Sequence, residues 1–192
     1  MGREFELKYA ATPAAQQAIR DALGEGFQTI AMETTYYDTP DRRLSAVRYT
    51  LRRRMENGVA VCTVKTPADA HGRGEWECRC DRIEDAVPEL CKLGAPEDLR
   101  RWTETGLIPI CGARFTRLAK TVETHGTVLE LALDTGKLLS GSREEALCEV
   151  EVELKSGTEE AAMAYAAELA GRFGLTPEKK SKFRRALALA EG

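Results

Sequence analysis

Apolar and polar residues alternate one for one along eight stretches of this chain and recur every three to four residues along several others. Glu4 to Tyr9 sets Phe5, Leu7 and Tyr9 on one side of an extended strand and Glu4, Glu6 and Lys8 on the other. The same alternation predicts strands at about 29–37, 49–54, 59–65, 75–80, 114–123, 127–134 and 147–154. Turn chemistry separates them: Asp38-Thr39-Pro40-Asp41, Glu56-Asn57-Gly58, a loop from Pro67 to Gly72, His125-Gly126 and Gly141-Ser142. Thr12-Pro13 opens a helix to about Gly24, with Ala15, Ala18, Ile19, Ala22 and Leu23 along one side. Residues 83–106 lose the alternation and read as helical, interrupted at Pro88 and at Gly94-Ala95-Pro96. Thr158, followed by Glu159 and Glu160, caps an alanine-rich helix ending near Gly174, and a last helical segment follows Pro177. Strands in hairpin-like succession, with helices at both ends and in the middle, predict an antiparallel, barrel-like α+β fold, and residues 1–192 read as a single domain.

The charges follow the same alternation. Glu149, Glu151 and Glu153 share a face against Val150, Val152 and Leu154; Glu130 and Asp134 share one against Leu129, Leu131 and Leu133; Glu75 and Glu77 lie between Arg73 and Arg79. Taken singly, such a strand reads as a solvated outer face. Several together repel by a few tenths to about 1 kcal/mol per like-charged pair unless cations lie between them. Hard divalent ions such as Mg2+ and Mn2+ take oxygen ligands of this kind. Basic residues on other strands are the second source of compensation: Arg52 and Arg54 on one face, Thr63 and Lys65 on one face, then Arg114, Arg117, Lys180 and Lys182. A cavity lined by both signs suits a polyanion gripped by Arg and Lys and bridged by metal to the carboxylates. Periodicity alone leaves the charged faces either outside an open sheet or inside a closed one.

The totals exclude other classes. With 28 Lys plus Arg against 31 Asp plus Glu there is no basic excess, so no nucleic acid is expected as partner. No apolar run approaches the length of a membrane span, and the start Met1-Gly2-Arg3-Glu4 lacks a signal-like core, so a cytoplasmic protein with no membrane partner is expected. The six cysteines form no CxxC pair and have only His71 and His125 to join them, so they read as idle thiols rather than a zinc site.

The order of blocks is distinctive: EFELK at 4–8, YYDTP at 36–40, LRRR at 51–54, TVK at 63–65, RGEWE at 73–77, ELALD at 130–134, EVEVE at 149–153 and SKFRR at 181–185. Together they resemble the CYTH superfamily, the triphosphate tunnel metalloenzymes, and within it the bacterial inorganic triphosphatases. The resemblance implies a closed, eight-stranded antiparallel β-barrel with flanking helices and a charged lumen. It implies that Lys8, Arg52, Arg54, Lys65, Arg117 and Lys182 grip phosphate oxygens, with Arg73 and Arg185 as further substrate contacts. Glu4, Glu6, Asp134, Glu149 and Glu151, with Glu130 and Glu153, would hold one or two Mg2+ or Mn2+ ions. Glu4, Glu6, Lys8, Glu75 and Glu77 are the candidates for catalytic work. Arg114, three residues from Arg117, faces the opposite way on a regular strand. Such relatives often carry a C-terminal helical CHAD domain, which is not expected in these 192 residues.

The reaction implied is metal-dependent hydrolysis of inorganic triphosphate to pyrophosphate and phosphate, with a small-molecule triphosphate as partner and a homodimer as an option. Thiamine triphosphate hydrolysis, cyclisation of ATP by a class IV-type adenylate cyclase, and polyphosphate or nucleotide binding without turnover are the alternatives.

Overall fold

The computed structural model describes residues 5–69 and 72–191. Its centre is one antiparallel sheet formed by β1 (Glu6–Ala10), β2 (Gln28–Asp38), β3 (Thr50–Glu56), β4 (Val59–Asp69), β5 (Gly72–Arg79), β6 (Ile108–Thr124), β7 (Thr127–Ser140), β8 (Arg143–Ser156) and β9 (Thr176–Pro177). The strand order is β5-β4-β3-β2-β6-β7-β8-β1-β9. The eight expected strands are present, and the two-residue β9 adds a ninth by pairing with Tyr9 and Ala10. The closed eight-stranded barrel is corrected: among the described residues the hydrogen-bonded sheet is open, with β5 and β9 as its edges. It curls all the same, because side chains of β1 and β5, far apart in strand order, line one cavity.

Local chemistry explains most element boundaries. Thr12 Oγ1 accepts from Ala15 N at 3.1 Å and Pro13 occupies the first turn of α1 (Pro13–Leu23). Thr158 Oγ1 likewise accepts from Ala161 N at the start of α5 (Glu159–Phe173). Asn57 and Gly58, both at positive φ, close the β3–β4 hairpin in two residues. The expected turn after Asp38 is more than a turn. Asp38 is buried and its carboxylate accepts from Thr39 N, Leu44 N, Ser45 N and the Ser45 hydroxyl, which nucleates the short α2 (Arg43–Ala46). Pro88 does not break its segment but lies inside α3 (Ile83–Lys92), followed by α4 (Asp98–Thr103). The final helix, α6, runs Lys182–Glu191.

The sheet is covered on both faces. Outside, Leu129, Leu131 and Leu133 of β7 and Val150 and Val152 of β8 pack under α1 and α5, while Leu51, Cys62 and Val64 pack under α2, α3 and α4. Inside, Met32, Ala113, Phe115, Leu138 and Leu147 form an apolar bed on which α6 lies through Ala186 and Phe183. Burying these strips on both sides leaves one part of the inner face uncovered, and that part carries the charges.

Candidate functional site

Register decides which side chains meet. Arg52 and Arg54 project from the inner face of β3, opposite Tyr36 and Thr34 of β2 on one side and Thr63 and Val61 of β4 on the other. Lys65 pairs with Glu75, and Thr63 with Glu77, across β4 and β5. On the far wall, Glu6 lies opposite Glu153 and Lys8 opposite Glu151. The charged residues among these line a cavity of about 740 Å3, together with Tyr36, Glu56, Arg117, Ser181, Lys182 and Phe183.

The basic wall is loosely paired. Arg54 Nε donates to Thr34 Oγ1 at 3.1 Å, but its Nη1 stands 3.7 Å from Glu56, and Arg52 Nη2 stands 3.9 Å from Glu75. Arg52 Nε is buried with no hydrogen-bond partner among the described residues. Burial, and then the neighbouring Arg52 charge, push the Arg54 guanidinium down to about 10. Two guanidiniums held side by side with donors to spare favour an anion between them. Lys65 Nζ lies 2.9 Å from Glu75, and Lys8 Nζ 3.8 Å from Glu6.

The floor is the opposite: every charge is matched. Asp134 and Glu149 are fully buried and Glu151 nearly so. Arg117 grips both oxygens of Asp134 at 2.8 Å in a bidentate pair and also donates to Glu151. Lys182 Nζ lies 2.5 Å from Glu151, 2.6 Å from Glu149 and 2.9 Å from Asp134. Its contact with Glu149 Oε2 is close but poorly aligned, so that oxygen has an ion pair without a hydrogen bond. Arg185 pairs with Glu149 and Glu145. Desolvation opposes the charge on both Arg117 and Lys182, but the surrounding carboxylates outweigh it and raise both above their ordinary values. For Glu151 burial opposes ionisation, yet Lys182 and Arg117 hold it well below the carboxylate range. For Glu149 burial outweighs Lys182 and Arg185, and its pKa is raised. Behind the floor, Gln16 of α1 donates to the main-chain oxygens of Asp134 at 3.0 Å and Glu149 at 2.8 Å, tying β7 to β8 where the two carboxylates originate.

Of the residues expected in the site, Glu6, Lys8, Arg52, Arg54, Lys65, Glu75, Glu77, Arg117, Glu151, Glu153 and Lys182 line the cavity. Asp134 and Glu149 lie beneath it, held with Lys182. Arg185 is turned to Glu145 and Glu149, and Glu130 lies near Lys155 at 3.8 Å. Glu4 and the side chain of Arg73 fall outside the described residues. Arg114 points away, as the three-residue offset requires, and pairs with Glu33 at 2.8 Å on the surface. Thr34, Tyr36, Phe183 and Gln16 were missed. Tyr36 could have been found from its place two residues beyond Thr34 on an alternating strand, but nothing local marks Gln16.

Two acidic sets offer oxygens to a divalent cation. The oxygens of Asp134, Glu149 and Glu151 lie within 4.8 Å of one another, the one such gathering of three among the described residues. Their chemistry fits a hard ion, but a lysine ammonium already stands among them. Glu6 and Glu153, opposed across β1 and β8 on the cavity wall, also meet ammoniums, Lys8 at 3.8 Å and Lys155 at 2.8 Å, but they are about a quarter exposed where Asp134 and Glu149 are fully buried, so they fit an ion that completes its shell with substrate oxygens.

The CYTH domain model matches residues 2–187. The chain belongs to the CYTH domain family. It is 31% identical over 165 residues to an inorganic triphosphatase of Haemophilus influenzae, a match covering 82% of this chain and 46% of that protein, so the chain spans about half the length of this relative. Among solved structures, a Hippeastrum adenylyl cyclase candidate described as having a dominant triphosphatase activity superposes with a TM-score of 0.66 at 21% identity, over 94% of this chain and 93% of the other. PH1819 of Pyrococcus horikoshii gives 0.63 at 23% identity, over 96% and 98%. These two likenesses establish the fold of this CYTH chain. No helix among the described residues is long and apolar enough to cross a membrane.

Proposed function

We propose that this CYTH chain is a metal-dependent triphosphatase that cleaves the terminal phosphoanhydride of inorganic triphosphate to give pyrophosphate and phosphate. The observation that carries this reading is the facing of two unlike walls across one cavity: under-paired guanidiniums of Arg52 and Arg54 on one side, Glu6 and Glu153 on the other. The name of the Haemophilus influenzae relative supports the same chemistry.

Arg52, Arg54 and Lys65, with Lys8 across the cavity, hold the non-bridging oxygens of an extended triphosphate and neutralise its charge. Phosphoryl transfer asks the protein mainly for alignment and charge stabilisation, and a wall of fixed cations supplies both. Glu6 and Glu153, with Glu4 beyond the described residues, would hold Mg2+ or Mn2+, which when bound polarises the phosphoryl oxygens. Water attacks the terminal phosphorus in line, the bond to the bridging oxygen breaks, and the electron pair leaves on pyrophosphate. Glu75 and Glu77 on β5, which line the same cavity, are the candidates to orient that water and accept its proton. The reading carries with it a cytoplasmic CYTH domain acting on a small-molecule triphosphate, a cavity working as a triphosphate tunnel, and a homodimer as an option.

Phosphate release from inorganic triphosphate, ATP and thiamine triphosphate, each with Mg2+, Mn2+ or chelator, tests it. The expected result is metal-dependent release from inorganic triphosphate, abolished in Glu6→Gln with the fold intact. Cyclic AMP and pyrophosphate from ATP, or no turnover of any of the three, would overturn it.

A further inference from the structure

Lys182 is the first residue of α6, and its ammonium reaches the floor of the cavity between two strands of carboxylates. An ammonium has three protons, and three carboxylates surround this one: Asp134 from β7 and Glu149 and Glu151 from β8. The flanking guanidiniums take what is left. Arg117 meets both oxygens of Asp134 and the second oxygen of Glu151, and Arg185 meets the second oxygen of Glu149. All six carboxylate oxygens therefore touch a cation, and three negative charges meet three positive ones.

We propose that Lys182 is a tethered cation that fills the Asp134–Glu149–Glu151 triad, so that the triad takes no divalent ion and the cavity works with a single ion on the Glu6–Glu153 wall. An incoming ion would have to eject an ammonium that is 7% exposed and leave it unpaired in the floor, on top of its own dehydration. It would also have to lift the start of α6, a helix seated on the inner face through Ala186 and tied near its far end by Arg143, which donates to Leu189 O at 2.8 Å. The lysine is covalently attached and loses little freedom in binding; the ion is not. With its ammonium ion-paired to three carboxylates and hydrogen-bonded to Glu151, Lys182 acts on substrate as a positioning residue: it fixes Glu151, which in turn holds the Arg117 guanidinium at the cavity floor.

The single-ion clause rests on the triphosphatase reading, whereas the exclusion of metal from the triad does not, so the test uses metal alone. In the full chain, the side-chain ammonium resonance of Lys182, assigned with Lys182→Arg, is followed by nitrogen-15 NMR as millimolar Mg2+ is added without substrate. The signal is expected to keep its position and its slow proton exchange. In parallel, Mn2+ bound to the parent, Glu149→Gln and Glu6→Gln is counted by electron paramagnetic resonance. Glu149→Gln should bind as the parent does, and Glu6→Gln, which loses one of the two carboxylates on the ion, at least about tenfold more weakly. Displacement of the Lys182 resonance by Mg2+, or loss of a Mn2+ site in Glu149→Gln, would overturn the proposal. Absence of triphosphate turnover alongside an unmoved lysine would count against the enzymatic reading only.

Discussion

Arg52 and Arg54 are held where their charges are least comfortable without a ligand. Burial and the adjacent Arg52 bring Arg54 down to about 10, so the charged form is disfavoured in the folded chain relative to the unfolded one. The sign follows: a depressed cation is a penalty present in full below that value and relieved above it, or relieved at neutral pH by an anion. The partnerless Arg52 Nε adds the cost of an unsatisfied buried donor, about 1–3 kcal/mol. Replacing Arg52 by Met removes the unsatisfied donor and the charge-repulsion part of the Arg54 burden, leaving the larger part that comes from burial. Its melting temperature without ligand should equal or exceed that of the parent, the rise in melting temperature caused by metal-free triphosphate should vanish, and kcat/KM should fall about 100-fold or more. A lowered melting temperature with an intact triphosphate response would make Arg52 a structural residue. At this scale the sequence was informative, since two-residue spacing alone puts Arg52 with Arg54 and separates Arg114 from Arg117. What spacing could not show was the partner: Thr34, which receives the Arg54 Nε hydrogen bond, is 20 residues away and meets it only through the register of β2 on β3.

Strands and helices act on the site by fixing where each wall stands. Phe115 on β6 lies opposite Gly136 on β7, beneath α6 and beside the Asp134 that shapes the floor. A Cβ on Gly136 would lie 2.2 Å from the Arg114 carbonyl oxygen and 2.5 Å from the Phe115 Cα, both main-chain atoms that cannot step aside. Gly136→Ala should therefore destabilise the chain by about 2 kcal/mol or more in urea unfolding, in the range of overpacked positions. Gly141→Ala is the control. It has nothing within 4 Å and bears only the strain of φ 58, about 1 kcal/mol. Equal effects would mean that β6 and β7 do not approach as closely as described. Element type was legible because alternation of period two and helical spacing both ran long, and Thr12 and Thr158 marked helix starts. Pro88 misled because the loss of one main-chain donor in a short helix is outweighed by burying Ile83, Val87 and Leu90 against the sheet. The long ends of β6, β7 and β8 and the short α2 depend on contacts outside the window that local patterning samples.

The whole molecule is one curled sheet clad on both faces, and its two claddings carry their own reporters. Cys62 lies under α3 on the outer face and Cys111 under α6 on the inner one, both buried. Periodicity could assign each to a face of its strand but could not say that both faces are covered, nor which one encloses the charges; only the curl of the sheet decides that. Burial pushes both thiols up to about 12, so at pH 8 only about one molecule in ten thousand carries the reactive thiolate at either position, even before access is considered. If α6 could detach by itself, Cys111 would become reactive while Cys62 stayed protected. Lys182 in its carboxylate cage, Arg185 on Glu145 and Arg143 on the Leu189 carbonyl all tie α6 to strands β7 and β8, and those strands carry the outer core as well. The two faces should therefore open together. Pulsed alkylation of the native chain at pH 8, read by mass spectrometry, is expected to label Cys62 and Cys111 at matching rates that rise together with urea, after the half-buried Cys78, Cys80 and Cys148 have reacted. Early labelling of Cys111 alone would make α6 a separately opening lid and the floor of the cavity a mobile one, whereas matched rates would tie the integrity of the site to the stability of the entire sheet.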